Sequence, residues 1–380
     1  MKDVFVVADN IVSPLGFSSA DNFRQLTEGI SGIQQHNNIA IAPEPFYASL
    51  FAPQTTFIEA PASYTKFEQL LIASIAGALQ HCPVDIKSPS TALIISTTKG
   101  NISLIETEPV TPALKERVAL YTSAQLVAGH FGFTTQPLIV SHACISGVLA
   151  ITTGMRLLRS GQYRHVVIAG ADVITRFVLS GFQSFQAVSA APCKPFDAAR
   201  NGVTLGEGAA TIVLSVDPPA NATAHIRVTG GAVSNDANHI SGPSRTGQEL
   251  FQAMQRTMHE AGVAATDIDF ISAHGTATLY NDEMESKAIT LAGLQDVPVN
   301  SLKGYYGHTL GAAGLIESVI SIHSLLQNLV IPTKGFSEPG TTKSLNVCSI
   351  LQPGFLKTCL KTASGFGGCN AAVLFNKQLI

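Results

Sequence analysis

The chain reads as an α/β protein of two halves of similar content, with mostly parallel sheets layered against helices. Three observations carry that expectation. Short apolar runs with strand character alternate with stretches of helical apolar spacing along nearly all of the 380 residues. The alternation runs through once, breaks in composition near Asp217-Pro218-Pro219-Ala220-Asn221, and begins again, which divides the chain into residues 1–220 and 221–380. Hydrophobic residues make up 46% of the chain and charged residues 13%, so much of it must be buried, in one compact body or against a partner. An oligomer is the natural expectation.

Taken in order, Val4 to Ala8 reads as a first buried strand and Ser19 to Thr27 as a helix with Ser19 available as its cap. Residues 30–65 are rich in Pro, Asn and Ala without clear periodicity and read as a surface excursion. Phe67 to Leu79 has helical spacing, Thr91 to Thr97 is a β-branched strand, and residues 101–120 are irregular around Pro109 and Pro112. A helix from Ser123 to His130, a strand at Pro137 to Val140 and a helix from Val148 to Leu158 follow. Arg164 to Ala171 is the next buried strand, a loop-rich stretch runs to Gly208, and Ala210 to Val216 is a strand. The second series comprises strand Ile226–Gly230, helix Gly247–Gly262, strand Ile268–Ala273, helix Asp282–Ala292, strand Val299–Leu302, helix Gly311–Leu326, strand Thr362–Ser364 and strand Ala371–Phe375.

Four stretches carry chemistry. In Ser141-His142-Ala143-Cys144-Ile145-Ser146-Gly147 a cysteine sits between a strand and a helix, where free backbone N–H groups and the helix dipole favour a thiolate. Alone, it reads better as a small core cysteine. Two histidine motifs change that balance: Ala273-His274-Gly275-Thr276-Ala277-Thr278, followed by Asp282 and Glu285, and Lys303-Gly304-Tyr305-Tyr306-Gly307-His308, followed by Glu317. Each puts an imidazole at the C-terminal edge of a strand, where open α/β sheets collect ligands. Neither has an H-x-x-x-H partner, so the spacing argues against a metal. One cysteine with two remote histidines points to covalent catalysis with charge held by the imidazoles. The turn Ser364-Gly365-Phe366-Gly367-Gly368-Cys369-Asn370 offers accessible backbone N–H groups, although glycine-rich hairpins are common.

Charge and cysteine usage exclude other classes. Net charge is −3 at pH 7, and no run of Lys or Arg is dense enough to follow a phosphate backbone, so no nucleic-acid partner is expected. The six cysteines show neither C-x-x-C pairing nor a disulfide framework, which fits a reducing compartment. Asp9 arrives before any signal-length apolar core, and no stretch approaches ~18 uncharged apolar residues. The expectation is a cytoplasmic protein that does not engage a membrane.

The Cys144 turn, His274-Gly275-Thr276-x-Thr278, Lys303-x-x-x-Gly307-His308, Gly365-Phe366-Gly367-Gly368 and Arg200-Asn201-Gly202 with Gly206-Glu207-Gly208-Ala209 together resemble the β-ketoacyl-ACP synthases, most closely the type II elongating enzymes, over nearly the whole chain. The resemblance implies a thiolase-like fold, two similar halves with mixed five-stranded sheets stacked in α-β-α-β-α layers and dimerised through the first half. It implies that Cys144 takes the acyl chain and that His274 and His308 stabilise the enolate formed from malonyl-ACP. Lys303 orients that site, with Glu317 in the same network. The amides of Cys144 and Phe366 form the oxyanion hole on the turn of Gly365 and Gly367, and the Phe366 ring gates the thiol. Thr276 and Thr278 hold the pantetheine arm. No cofactor is implied, because the substrates arrive on the phosphopantetheine arm of acyl carrier protein.

The chain departs from the family pattern at Cys369, where Thr is usual, and at His142, where small residues are common. The stretches 30–65 and 98–120 are also short for an elongating enzyme. Three readings follow: an active homodimer, an active synthase needing a different partner subunit, as in polyene or pigment pathways, and a chain-length-factor-like subunit of a heterodimer. An intact Cys144, His274 and His308 favours activity.

Overall fold

The computed structural model describes residues 2–59, 64–80, 82–220, 223–237 and 242–380. Positions 60–63 of the expected surface excursion and 221–222 at the expected break lie outside the described residues. The first series is β1 (Phe5–Val12), α1 (Ser19–Thr27), β2 (Ile33–His36), β3 (Phe46–Ser49), α2 (Lys66–Leu79), β4 (Thr91–Ser96), α3 (Leu104–Thr107), α4 (Pro112–Val118), α5 (Leu120–Phe131), β5 (Leu138–Val140), α6 (Ser146–Arg159), β6 (His165–Asp172), α7 (Arg176–Ser184), β7 (Leu205–Gly206) and β8 (Gly208–Ser215). The second is β9 (Ala224–Asn235), α8 (Gln248–Ala261), β10 (Phe270–Ser272), α9 (Leu279–Leu291), β11 (Val299–Asn300), α10 (Lys303–Tyr306), α11 (Ala313–Gln327), β12 (Leu329–Val330), β13 (Gln352–Pro353), β14 (Thr358–Gly365) and β15 (Cys369–Leu379).

Ten strands form one sheet in the order β11-β10-β14-β15-β9-β1-β8-β6-β4-β5. Each series contributes five, wired alike. The first strand lies antiparallel to the fifth, the fifth antiparallel to the fourth, the fourth parallel to the second and the second parallel to the third. The sheets are therefore mixed, as the family resemblance implies, where the strand–helix alternation alone suggested mostly parallel ones. The reversal comes with the last strand of each series, and β14 returns to β15 through the glycine turn at 366–368. The two sets meet where Phe5 lies opposite Arg227 and Val6 opposite Ile226, with the Val228 amide donating to the Val4 carbonyl at 2.9 Å.

Three apolar layers make the core. Helices α6 and α11 pack on each other between the two strand sets, where Val148, Ile151, Leu315 and Val319 are fully buried. Phe67, Leu71 and Val127 of α2 and α5 cover the outer face of the first set, and Leu250, Met254 and Ile289 of α8 and α9 that of the second. The order is α-β-α-β-α. Residues 310–327 are long and apolar enough by composition to cross a membrane, yet 83% of that stretch is buried inside the protein and Glu317 lies in it. It is the central core helix.

Local chemistry explains most element ends and several surprises. Ser18, not Ser19, caps α1, accepting from the Asp21 amide at 3.1 Å. Thr65 and Glu68 form a capping box at the start of α2. Pro112 starts a helix rather than breaking one, since at the first helical turn its missing N–H has no partner to lose and Thr111 caps Leu114. The excursion at 30–65 holds the hairpin of β2 and β3, and β3 pairs with the two-residue β7. Helix α7, capped by Thr175, occupies part of the stretch read as loop.

Candidate active site

The Cys144 turn follows β5 and leads into α6. Ala143 has φ 44°, the left-handed region that costs a residue with a Cβ on the order of 1 kcal/mol. This sharp reversal puts the cysteine at the helix start. Gly147, one turn later, allows the close crossing with α11: a Cβ there would lie 2.6 Å from the Leu315 amide nitrogen and 3.1 Å from the Gly311 carbonyl. Any larger residue would wedge the two helices apart, and with them Cys144 from His308.

Cys144, His274 and His308 come together. Cys144 Sγ and one nitrogen of each imidazole all lie within 4.8 Å of one another, and the three residues are buried. The imidazoles meet edge to face, with centroids 5.1 Å apart. Lys303 Nζ donates to the His274 carbonyl at 2.6 Å and lies 3.3 Å from His274 Nδ1. An ammonium only donates, so Nδ1 accepts and the proton of neutral His274 sits on Nε2. Neither ring nitrogen of His308 has a hydrogen-bond partner among the described residues, leaving both free for a substrate.

Electrostatics set the protonation states. Burial, then the charge of Lys303, holds both imidazoles well below the usual histidine range; His308 and then Lys361 add to this at His274, and Lys361 adds to it at His308. Both are neutral near pH 7. Burial pushes the Cys144 thiol up to about 12, and neighbouring Cys369 adds to this; Lys303 and the Phe366 amide, which donates to the sulfur, pull the other way. The expected resting thiolate is thus corrected to a thiol, because desolvation of a fully enclosed sulfur outweighs the donors around it.

Behind the imidazoles, Glu317 pairs with Lys303 at 2.6 Å through Oε1 and with Lys361 at 2.7 Å through Oε2. Lys303 and Glu317 therefore support the site from behind rather than facing substrate. Glu285 accepts from the backbone amides of His274 at 2.8 Å and Gly275 at 2.6 Å, fixing the loop that carries the first imidazole. Two lysines behind a Cys-His-His set make it a poor seat for a dication, although its three donor atoms are zinc-like.

These groups open into a cavity of about 740 Å³ whose lining includes Cys144, His274, His308, Thr276, Thr278, Gly365, Phe366 and Gly367. The Thr276 and Thr278 hydroxyls are 2.9 Å apart, and Thr278 also caps α9. The Phe366 ring is 38% exposed and packs on Phe182 at 5.6 Å and Phe185 at 5.3 Å. Gly365 is required by crowding, since a Cβ would lie 2.9 Å from Cys369 Sγ and 3.0 Å from the Cys144 nitrogen. The His142 side chain is exposed, while its amide donates to Ser146 Oγ at 2.8 Å. Lys66 is paired with the buried Glu207.

Two groups escaped the sequence reading. Asp172, at the end of β6, accepts from Thr97 Oγ1 at 2.8 Å, from the amides of Thr98 and Lys99, and from Gly311 at 2.7 Å. It thereby ties the loop after β4 to the loop after His308. Lys361 lies inside β14 with no exposed surface. An aspartate closing an apolar run, or a lysine amid a strand, is a visible signal, but the usual reading of either is a solvated edge.

An elbow cysteine facing two imidazoles across paired five-stranded sets defines a condensing enzyme of thiolase-like fold. Comparison with known proteins agrees. The beta-ketoacyl synthase N-terminal domain matches residues 1–220 and the C-terminal domain residues 225–337. The 3-oxoacyl-[acyl-carrier-protein] synthase 2 of Vibrio cholerae is 28% identical over 99% of both chains. A beta-ketoacyl synthase from Burkholderia phymatum has the same fold, with TM-score 0.89, 23% identity and 100% of both chains covered. So does a ketosynthase solved in complex with its chain length factor from Xenorhabdus doucetiae, with TM-score 0.87, 22% identity, and 99% of this chain and 98% of that one covered. The chain belongs to the β-ketoacyl synthase family of condensing enzymes.

Proposed function

We propose that the enzyme joins an acyl chain held on Cys144 to the two-carbon unit left when malonyl-ACP loses carbon dioxide. In the first half-reaction the Cys144 sulfur attacks the acyl thioester of a carrier protein, and the carrier thiol leaves with the proton. In the second, the carbon–carboxylate bond of malonyl-ACP breaks, the electron pair forms a thioester enolate, and carbon dioxide departs. The enolate carbon then attacks the acyl-cysteine carbonyl, the C–S bond breaks, and the Cys144 sulfur regains a proton. His274, through Nε2–H, and His308 donate to the enolate oxygen as charge develops there. The Cys144 and Phe366 amides receive the oxyanion at the acyl carbonyl, Phe366 gates the cavity, and Thr276 and Thr278 hold the pantetheine arm. No dissociable cofactor is needed.

The observation that carries this reading is the meeting of one thiol and two neutral imidazoles within 4.8 Å at a cavity wall. A second reading, a chain-length-factor-like subunit with little activity of its own, draws on the neighbour solved with such a partner and on β5, whose outer edge is unpaired among the described residues and whose Leu138 is 38% exposed. Either a second copy of this chain or a related ketosynthase chain would continue the sheet there. The test supplies the purified chain with radiolabelled acyl-ACP and malonyl-ACP. Label on the protein, release of carbon dioxide and a β-ketoacyl-ACP product by the chain alone are expected. A folded chain that neither takes up label nor decarboxylates, and gains both only with a second ketosynthase chain, would make it the subunit instead.

A further inference from the structure

The condensation chemistry uses Lys303 and Glu317 but leaves a second buried lysine unexplained. Lys361 has no exposed surface, and its Nζ donates to the carbonyls of Ser272 at 3.2 Å, Ala273 at 3.3 Å and Thr362 at 2.7 Å, besides pairing with Glu317 Oε2 at 2.7 Å. Lys303 and Lys361 thus share one carboxylate. A buried pair of one lysine and one glutamate would balance; here a second ammonium shares the same carboxylate, and the next carboxylate that faces it, Glu285, is not its ion-pair partner among the described residues. The titratable groups facing Lys361 are Glu317 on α11, Glu285 on α9, Lys303 on α10 and Cys359 on its own strand. Glu285 is already occupied by neutral donors: the His274 and Gly275 amides, Asn281 at 2.9 Å and the Thr362 hydroxyl at 3.2 Å. Facing the imidazoles are Lys303, Lys361, each other and Cys144.

We propose that Lys361 is a charge-setting positioning residue of the condensation site: it holds Glu317 from the side opposite Lys303, so that two ammonium groups stand behind the His274–His308 pair and favour an anion between the imidazoles and Cys144. The inference rests on the condensation reading for what that anion is, the enolate of a decarboxylated malonyl thioester. The positive charge also disfavours protonation of either imidazole, keeping them as N–H donors that are not spent as cations before the substrate arrives.

The test removes the charge in two ways. Lys361→Met keeps the aliphatic stem; Lys361→Gln keeps an amide donor for the strand carbonyls. In each folded variant, followed by NMR of histidines labelled at Cε1, the midpoints of His274 and His308 are expected to rise by about 1 pH unit or more, the size of a lost neighbouring charge. The acid limb of malonyl-ACP decarboxylation should move to higher pH by the same amount. Unchanged midpoints in either folded variant would overturn the proposal. Failure of both variants to fold would also overturn it, by making Lys361 a cation required for the fold alone. If the midpoints move but neither the native chain nor the variants decarboxylate malonyl-ACP, the charge assignment stands and the condensation reading fails.

Discussion

The turn that carries Cys144 and the turn that carries His308 occupy the same place in the two halves. Each follows the third strand of its five, β5 or β11, and leads to a central helix, α6 or α11. In both, the residue just before the reactive one has positive φ, 44° at Ala143 and 66° at Gly307. Gly147 and Gly314 let the two helix starts touch: a Cβ on Gly314 would lie 2.7 Å from the Val148 amide nitrogen, the mirror of the Gly147 contact. The backbone solution is the same and the chemistry is not. The first turn contains no Asp, Glu, Lys or Arg between Ser141 and Gly147, and its sulfur rests protonated in an enclosed site. The second packs Lys303 and Glu317 beneath its imidazole with almost no solvent contact. One repeated scaffold brings a thiol from one side and an imidazole backed by buried charges from the other, and the crossing of two glycines sets their separation.

Breaking the nucleophile side should have the largest effect. Cys144→Ala is expected to abolish acyl transfer and condensation while the melting temperature stays near that of the native chain, because a small residue at a helix start contributes little packing. Intact-mass spectrometry should show an acyl adduct on the native chain only. An adduct that persists in the variant, on Cys193 or Cys369 for instance, would remove Cys144 from its role.

The charge side should fail differently. His274→Ala and His308→Ala are each expected to slow decarboxylation of malonyl-ACP by about 10²–10³, more than they slow acylation of Cys144, since losing one donor to a developing oxyanion typically costs that much. Single-turnover acylation and carbon dioxide release, measured on the same samples, separate the two. Normal carbon dioxide release with failed acylation would reverse the division of labour between the turns.

The smallest effect concerns the clamp between the halves. Burial raises Asp172 to about 6 despite its donors. A carboxyl raised above its unfolded value of about 3.9 contributes most stability below that value and loses it as pH rises through about 6. Asp172→Asn has no such titration. Between pH 4 and pH 7 the stability of the native chain relative to the variant should therefore fall by up to about 3 kcal/mol, read from urea unfolding across that window. A difference that does not change with pH would mean that Asp172 stays ionised and that the clamp is a fixed ionic one.

What the sequence determined by itself is what short stretches of chain decide. The alternation of strand and helix, the break near residue 217, the strand-to-helix position of Cys144 and the glycine-flanked histidines all follow from periodicity and from residues suited to turns. Capping was legible to within one residue at Ser18, and less so where a proline begins α4. The tertiary structure alone decided how the strands pair: whether the last strand of a series runs parallel or antiparallel leaves no trace in an apolar run, because both faces are buried either way. It also decided the electrostatics. Lys361 in Thr358-Cys359-Leu360-Lys361-Thr362 and Asp172 at the end of an apolar strand look like ordinary solvated groups until Glu317 from α11 and the Thr97–Lys99 loop after β4 close over them. The thiol of Cys144 shows the same limit: its helix-start position argues for a thiolate, and only the burial that the folded chain imposes on it favours the thiol.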